Sequence, residues 1–154
     1  MSARSCLGRQ RPRLAAPRGA PRDLAVRAPT SGTRVGCDLV EVERFERVLA
    51  RNPPEFRDQI FTAAEQQAAT STAELARRFA VKEATLKALG IGLVAGIHPT
   101  DIEVSAGADA RCHVQFRGAP AALGRGCRVH ARAWVEAGCA SAIVWIARAD
   151  GDSG

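Results

Sequence analysis

A chain of 154 residues, 46% apolar and 25% charged, has the size of one domain and the composition of a soluble globular protein, which excludes a fibrous or wholly unfolded chain. Its formal charge of +6 sits at one end: residues 1–34 hold eight Arg and one Asp, whereas the other 120 residues hold 14 basic and 15 acidic groups. A body so close to neutrality, with no Tyr, two Trp and five Phe, offers neither the basic face nor the stacking platform of a nucleic-acid binder.

Residues 1–33 are rich in Arg, Ala, Pro, Gly and Ser and show no helical or strand period, so they bury too little apolar surface to offset chain entropy and are expected to be a disordered basic extension. They contain no 7–15-residue apolar stretch, which argues against a secretory signal, although an Arg-rich, acid-poor leader resembles a transit peptide. The domain is expected over residues 34–150. Val35 to Val40 alternates well enough for a short strand, with Asp38 near its end, leading into a helix at about 41–51. Arg44, Arg47 and Arg51 are spaced by three and four and share one face of that helix, either as a solvated surface or as a contact for an acidic partner.

Asn52-Pro53-Pro54 stops the helix, and residues 56–61 supply a short apolar segment before Thr62-Ala63-Ala64-Glu65, a capping-box pattern that opens another helix. Thr70-Ser71-Thr72 punctuates it. The longest helix is predicted over residues 74–89, with Leu75, Phe79, Leu86 and Leu89 at helical spacing and Gly90 at its C-terminal stop. After a loop at 90–100 the period changes to two. Strands are predicted at 101–105, 111–117, 126–135 and 140–148, with a helical turn at 119–123 after Gly118. Their short connections suggest an antiparallel meander covered by the long helix, an α+β fold.

No apolar run approaches the ~18–20 residues needed to cross a bilayer, so no membrane association is expected. Cys6, Cys37, Cys112, Cys127 and Cys139 form no C-x-x-C pair and alternate with no spaced His set, so neither zinc nor a disulfide framework is indicated. A reduced, cytoplasmic setting is the expectation. His98 and His113 belong to no motif.

The chain has only two Lys, Lys82 and Lys87, both on the long helix. Lys differs from Arg as a compact point charge able to give up its proton, so a proton donor or phosphate contact would select it. Glu83 and Lys87 are also spaced for an ordinary helix ion pair. Lys82 falls near the apolar stripe, where a lone cation is costly, and must either escape along its stem or meet an anion. Arg78, Lys82, Glu83 and Lys87 together put three cations and one carboxylate on one helix, a mixture suited to a pyrophosphate held directly and through one metal. Mg2+ prefers one or two carboxylates with phosphate oxygens and water, and Glu83 and Asp38 could supply them. The residues alone support an anion site of open purpose.

Gly36-Cys37-Asp38-Leu39-Val40-Glu41-Val42-Glu43-Arg44 resembles the G-x-D-[IL]-V-E-x-x-R opening of holo-acyl-carrier-protein synthases, the 4'-phosphopantetheinyl transferases. Arg78-Phe79-Ala80-Val81-Lys82-Glu83-Ala84-Thr85-Leu86-Lys87-Ala88-Leu89-Gly90 is similar to their R-[FW]-A-x-K-E-A-x-x-K-A-x-G helix, Phe61 to Glu65 to their F-T-x-x-E segment, and Asp101-Ile102-Glu103-Val104 to the strand that follows. The matches run in the family's order across about 35–148. The resemblance implies a compact transferase fold, commonly a homotrimer with coenzyme A between neighbouring subunits. It implies Asp38 and Glu83 as Mg2+ ligands, and Lys87 as the pyrophosphate contact and candidate acid for the leaving group. Arg78, Lys82, Gly90 and Gly92 would contact coenzyme A, and the Arg44, Arg47 and Arg51 face would meet the acidic helix of an acyl carrier protein.

The implied reaction is attack of a carrier-protein serine on the phosphorus attached to pantetheine, with adenosine 3',5'-bisphosphate leaving and Glu83 or a water beside the metal taking the serine proton. Two departures stand out. The family's H-V-S-[LIV]-[ST]-H segment reads His130-Ala131-Arg132-Ala133-Trp134-Val135 here, keeping the first His, replacing the second and altering that strand's coenzyme A contacts. Gly90-Ile91-Gly92 replaces the usual G-T-G and removes a hydroxyl near the phosphates. The alternatives are a non-catalytic relative that only binds carrier protein or coenzyme A, and a tail-driven nucleic-acid binder whose activity deletion of residues 1–33 would abolish.

Overall fold

In the computed structural model, which describes residues 32–91 and 97–149, five antiparallel strands form one sheet in the order β1-β5-β4-β3-β2. The strands are β1 (Thr33–Glu41), β2 (Ile102–Ala106), β3 (Arg111–Phe116), β4 (Cys127–Glu136) and β5 (Cys139–Arg148). From β2 to β5 the chain runs as the expected meander. The β4–β5 hairpin closes through Ala137 and Gly138, both at positive φ (48° and 76°), the signature of a type I′ turn whose twist matches the flanking strands. Return of β1 to pair antiparallel with β5 is a long-range contact that no local pattern announces.

The helices are α1 (Val42–Arg51), α2 (Glu55–Ile60), α3 (Ala63–Ala68), α4 (Thr72–Leu89) and α5 (Gly118–Leu123). The predicted apolar segment at 56–61 is thus mostly a helix, because Phe56 and Ile60 lie four apart and turn to the same core. Thr62 and Glu65 close the predicted capping box at α3. Ser71 caps α4 by accepting from the amide of Glu74, so the Thr70-Ser71-Thr72 punctuation is the N-terminus itself. Gly90 ends α4 in the left-handed region at φ 72°, which costs little only for glycine. The basic extension lies outside the described residues, except for Gly32 and Thr33.

Alternation on β4 and β5 turns Ala131, Ala133, Ala142, Val144 and Ile146 towards α4, which answers with Ala80, Val81, Ala84 and Ala88. Small residues on both surfaces let helix and sheet approach closely. Closest of all is Gly36 on β1: a Cβ there would collide with the carbonyl oxygen of Ala84 and come within 2.6 Å of the Ala88 amide nitrogen. Glycine at the motif's first position therefore sets the separation between β1 and α4. Gly36→Ala is expected to lower stability by about 1–3 kcal/mol, since both obstacles are backbone atoms that cannot step aside. Chemical denaturation would check this.

A second cluster joins α1 and α2 to the start of α4. Phe45 stacks on Phe79 at 5.3 Å and meets Phe61 edge-on at 6.3 Å, geometries that add to plain area burial. Phe79, expected in the apolar stripe, is only half-buried and lines a groove.

Candidate active site

Phe79, Glu83 and Lys87 lie four apart and form one row along α4. With Gly36 pressed against Ala84 and Ala88, that row runs beside β1, and the strand delivers Asp38 to it. Lys87 Nζ donates to Asp38 Oδ1 at 2.6 Å and to the Cys37 carbonyl oxygen at 3.1 Å. Asp38 and Glu83 also face a common open groove of about 600 Å³, whose other walls include Arg44, Phe45, Val48 and Phe79. Asp38 thus joins two residues 45 and 49 positions away in sequence, Glu83 across the groove and Lys87 through a hydrogen bond.

Their charges are coupled. Burial, and then the neighbouring Asp38, push the Glu83 carboxyl above its usual range, partly offset by Lys87. The hydrogen bond from Lys87 to Asp38 holds the ammonium above its usual value, with Glu83 adding to the effect and partial burial opposing it. Two adjacent carboxylates, one of them poorly solvated, resist being charged together unless a cation joins them. No group of three or more potential metal ligands exists among the described residues, and the donors that Asp38 and Glu83 bring are two carboxylates with hard oxygens. This fits Mg2+, which takes one or two carboxylates and leaves its other positions to water and phosphate.

Other residues from the predicted set lie elsewhere. Lys82 is fully buried and its three donor bonds reach Glu65 Oε2 at 2.8 Å, the Ile60 carbonyl at 2.9 Å and the Pro99 carbonyl at 2.9 Å. It met an anion, as its position required, but the anion is internal, so it cannot reach a coenzyme A phosphate. Burial lowers its pKa while Glu65 works to raise it. Arg78 is also buried, with Nη1 on the Glu74 carboxylate at 2.9 Å and the Glu74 carbonyl at 3.1 Å. Five and nine residues from Glu83 and Lys87, it lies on another side of α4 and anchors the start of the helix.

The Gly90 amide donates to the Leu86 and Lys87 carbonyls and is not free for a phosphate. Gly92 lies outside the described residues. Of the three arginines of α1, all exposed, Arg44 lines the groove, whereas Arg47 pairs with Glu43 and approaches Glu41 at 4.0 Å. Sequence reasoning missed Glu65 as the fastener of this region. One oxygen accepts from the Thr62 amide and from Lys82, and the other accepts from the Val104 amide at 2.9 Å. Its capping box was visible, and the lone Lys on an apolar stripe was the signal that an acid had to be nearby.

A family model described as the 4'-phosphopantetheinyl transferase superfamily matches residues 34–136, and the chain belongs to that superfamily. Within it, the chain is 40% identical over 74 residues to the holo-[acyl-carrier-protein] synthase of Brucella ovis, a match covering 46% of this chain and 55% of the relative. The chain thus spans about half the length of the curated relatives it matches. Its fold is similar to that of the Chronobacterium ammoniagenes synthase solved as a complex with CoA, with TM-score 0.66 and 26% identity over 77% of this chain and 98% of the other. The Mycobacterium tuberculosis acyl carrier protein synthase gives TM-score 0.60 and 28% identity over 76% and 99%.

Proposed function

We propose that residues 34–150 form a holo-[acyl-carrier-protein] synthase that transfers 4'-phosphopantetheine from coenzyme A to a serine of an apo acyl carrier protein, releasing adenosine 3',5'-bisphosphate. The observation that supports this reading is that Asp38 shares one groove with Glu83 and accepts a hydrogen bond from Lys87 at its edge. Asp38 and Glu83 are the residues that would hold Mg2+, which when bound supplies positive charge against the pyrophosphate. Phosphoryl transfer asks a protein chiefly for positioning and neutralisation. Lys87, more than half exposed, can swing from Asp38 to the departing phosphate and protonate it. Glu83, or a water beside the metal, is positioned to accept the serine proton. Arg44 stands at the groove where an acidic carrier helix would approach, with Arg47 and Arg51 further along α1, an arrangement that speeds association at low salt.

The test is incubation of the protein with coenzyme A, Mg2+ and an apo carrier protein, followed by intact mass measurement. A gain of one phosphopantetheine on the carrier is expected, lost on chelation with EDTA and restored by Mg2+. Carrier binding without any mass gain would instead mark a non-catalytic relative. Lys87→Ala is expected to slow transfer by about 10²-fold, the scale of losing one charged contact to the transition state, while leaving the thermal midpoint within about 2 °C, as befits an exposed ion pair.

Assembly as a homotrimer belongs to the same proposal. Val35 and Leu39 of β1 and Trp134 of β4 are large apolar residues left exposed on one face of the sheet, a surface that favours association. Light scattering on the eluting protein should give three times the monomer mass, and Leu39→Glu should reduce it. No helix among the described residues is long and apolar enough to cross a membrane, and we place the enzyme in the cytoplasm.

A further inference from the structure

We infer that Arg34 is a positioning residue for Lys87: from β1 it fastens the last turn of α4, and with it the lysine that would meet the pyrophosphate. Alternation along β1 turns Arg34, Gly36 and Asp38 to the same side, and each of the three grips α4. Asp38 accepts from Lys87, Gly36 presses on Ala84 and Ala88, and Arg34 Nη1 donates to the Leu89 carbonyl at 3.1 Å. That last bond joins residues 55 apart in sequence and closes the row at the end of the helix.

Helix ends fray because the last carbonyls lack partners within the helix. In α4 the Leu86 and Lys87 carbonyls accept from the Ile91 and Gly90 amides, a glycine-terminated cap, and Arg34 takes Leu89. A cation at a helix C-terminus is also favoured by the helix dipole, and no carboxylate among the described residues pairs with Arg34 to draw it away. Gly90 makes room for it, since a Cβ there would stand 3.1 Å from Nη1. Lys87 belongs to the turn so held, and its own tip bridges back to Cys37 and Asp38 on β1. Loosening that turn therefore moves the base of the Lys87 side chain relative to the strand that carries Asp38. The catalytic effect rests on the reading of Lys87 as the phosphate contact, whereas the fastening itself does not.

Two measurements on the full chain test it. Of the two lysines, Lys82 is fully buried and Lys87 exposed, so acetylation mapped by peptide mass spectrometry reads Lys87 by itself. An amine held in two hydrogen bonds must first release them, so Arg34→Ala, under conditions where circular dichroism shows it folded, should label several-fold faster than wild type, in the direction of Asp38→Asn. Arg34→Gln replaces it if the alanine variant does not fold. In the transfer assay Arg34→Ala should lower kcat by about ten-fold, within the cost of up to about 10²-fold for a misplacement of about 1 Å, and leave the KM for coenzyme A near wild type. Arg34→Lys, which keeps a charged donor, should recover most of the rate. A raised KM at unchanged kcat would make Arg34 a substrate contact instead, and wild-type labelling and kcat in Arg34→Ala, whatever its melting point, would leave it a purely structural cap; either result overturns the inference. If the wild type transfers nothing, the proposed function fails, while the labelling still decides whether Arg34 positions Lys87.

Discussion

Glu65→Ala is expected to destabilise the protein by about 3–5 kcal/mol, the usual consequence of leaving one member of a buried ion pair uncompensated. Lys82 would keep two backbone acceptors, Ile60 and Pro99, but no counter-charge, in a place with no exposure. The same substitution removes the acceptor for the Thr62 and Val104 amides, so α3, α4 and β2 loosen together. Urea unfolding followed by circular dichroism would measure the loss, and a change below about 1 kcal/mol would mean the pair does not matter. Glu65→Leu combined with Lys82→Met should recover part of the stability, since well-packed apolar replacements of buried pairs are often tolerated. Full recovery is not expected, because the Val104 amide remains without its acceptor. If that double variant folds, its affinity for coenzyme A should match wild type, which separates the structural role of Lys82 from the phosphate contact first assigned to it.

The strands from β2 to β5 and the body of α4 were legible because their patterns are local. Alternating burial reads directly from a strand such as β5, and Ser71 and Gly90 mark the ends of α4 chemically. The site was legible only in part. Asp38, Glu83 and Lys87 could be named from motif and residue type, but their meeting depends on β1 pairing with β5 and on Gly36 letting that strand touch α4. Neither follows from spacing. Lys82 and Glu83 are neighbours in sequence with opposite fates, since one residue along a helix is a turn of about 100°. That rotation carries Lys82 to the α3 and β2 side and Glu83 to the β1 side. A motif fixes residue identities in order, and only the helix phase says which of them face the groove.

Asp38→Asn and Glu83→Gln should each reduce transfer by about 10²-fold or more at limiting Mg2+, the loss expected when a group arranged against transition-state charge is neutralised. Their stabilities should diverge from their activities. Burial and Asp38 disfavour the Glu83 carboxylate in the folded protein, so its raised pKa means that the native state binds the extra proton more readily than the unfolded chain. Stability from this group is present below the unfolded value and declines as pH rises through the folded one. At neutral pH the ionised side chain therefore works against folding, and Glu83→Gln should melt at or above wild type. Asp38→Asn weakens the bond from Lys87, whose ammonium is more than half exposed, so its effect on melting should be small. Added Mg2+ should restore part of the lost rate, because each variant keeps the other carboxylate. Wild-type rates in both variants at limiting Mg2+ would show that the two acids do not act on the reaction. Lost activity with unchanged metal dependence would point to damage elsewhere, and an increased melting temperature for Glu83→Gln argues against that.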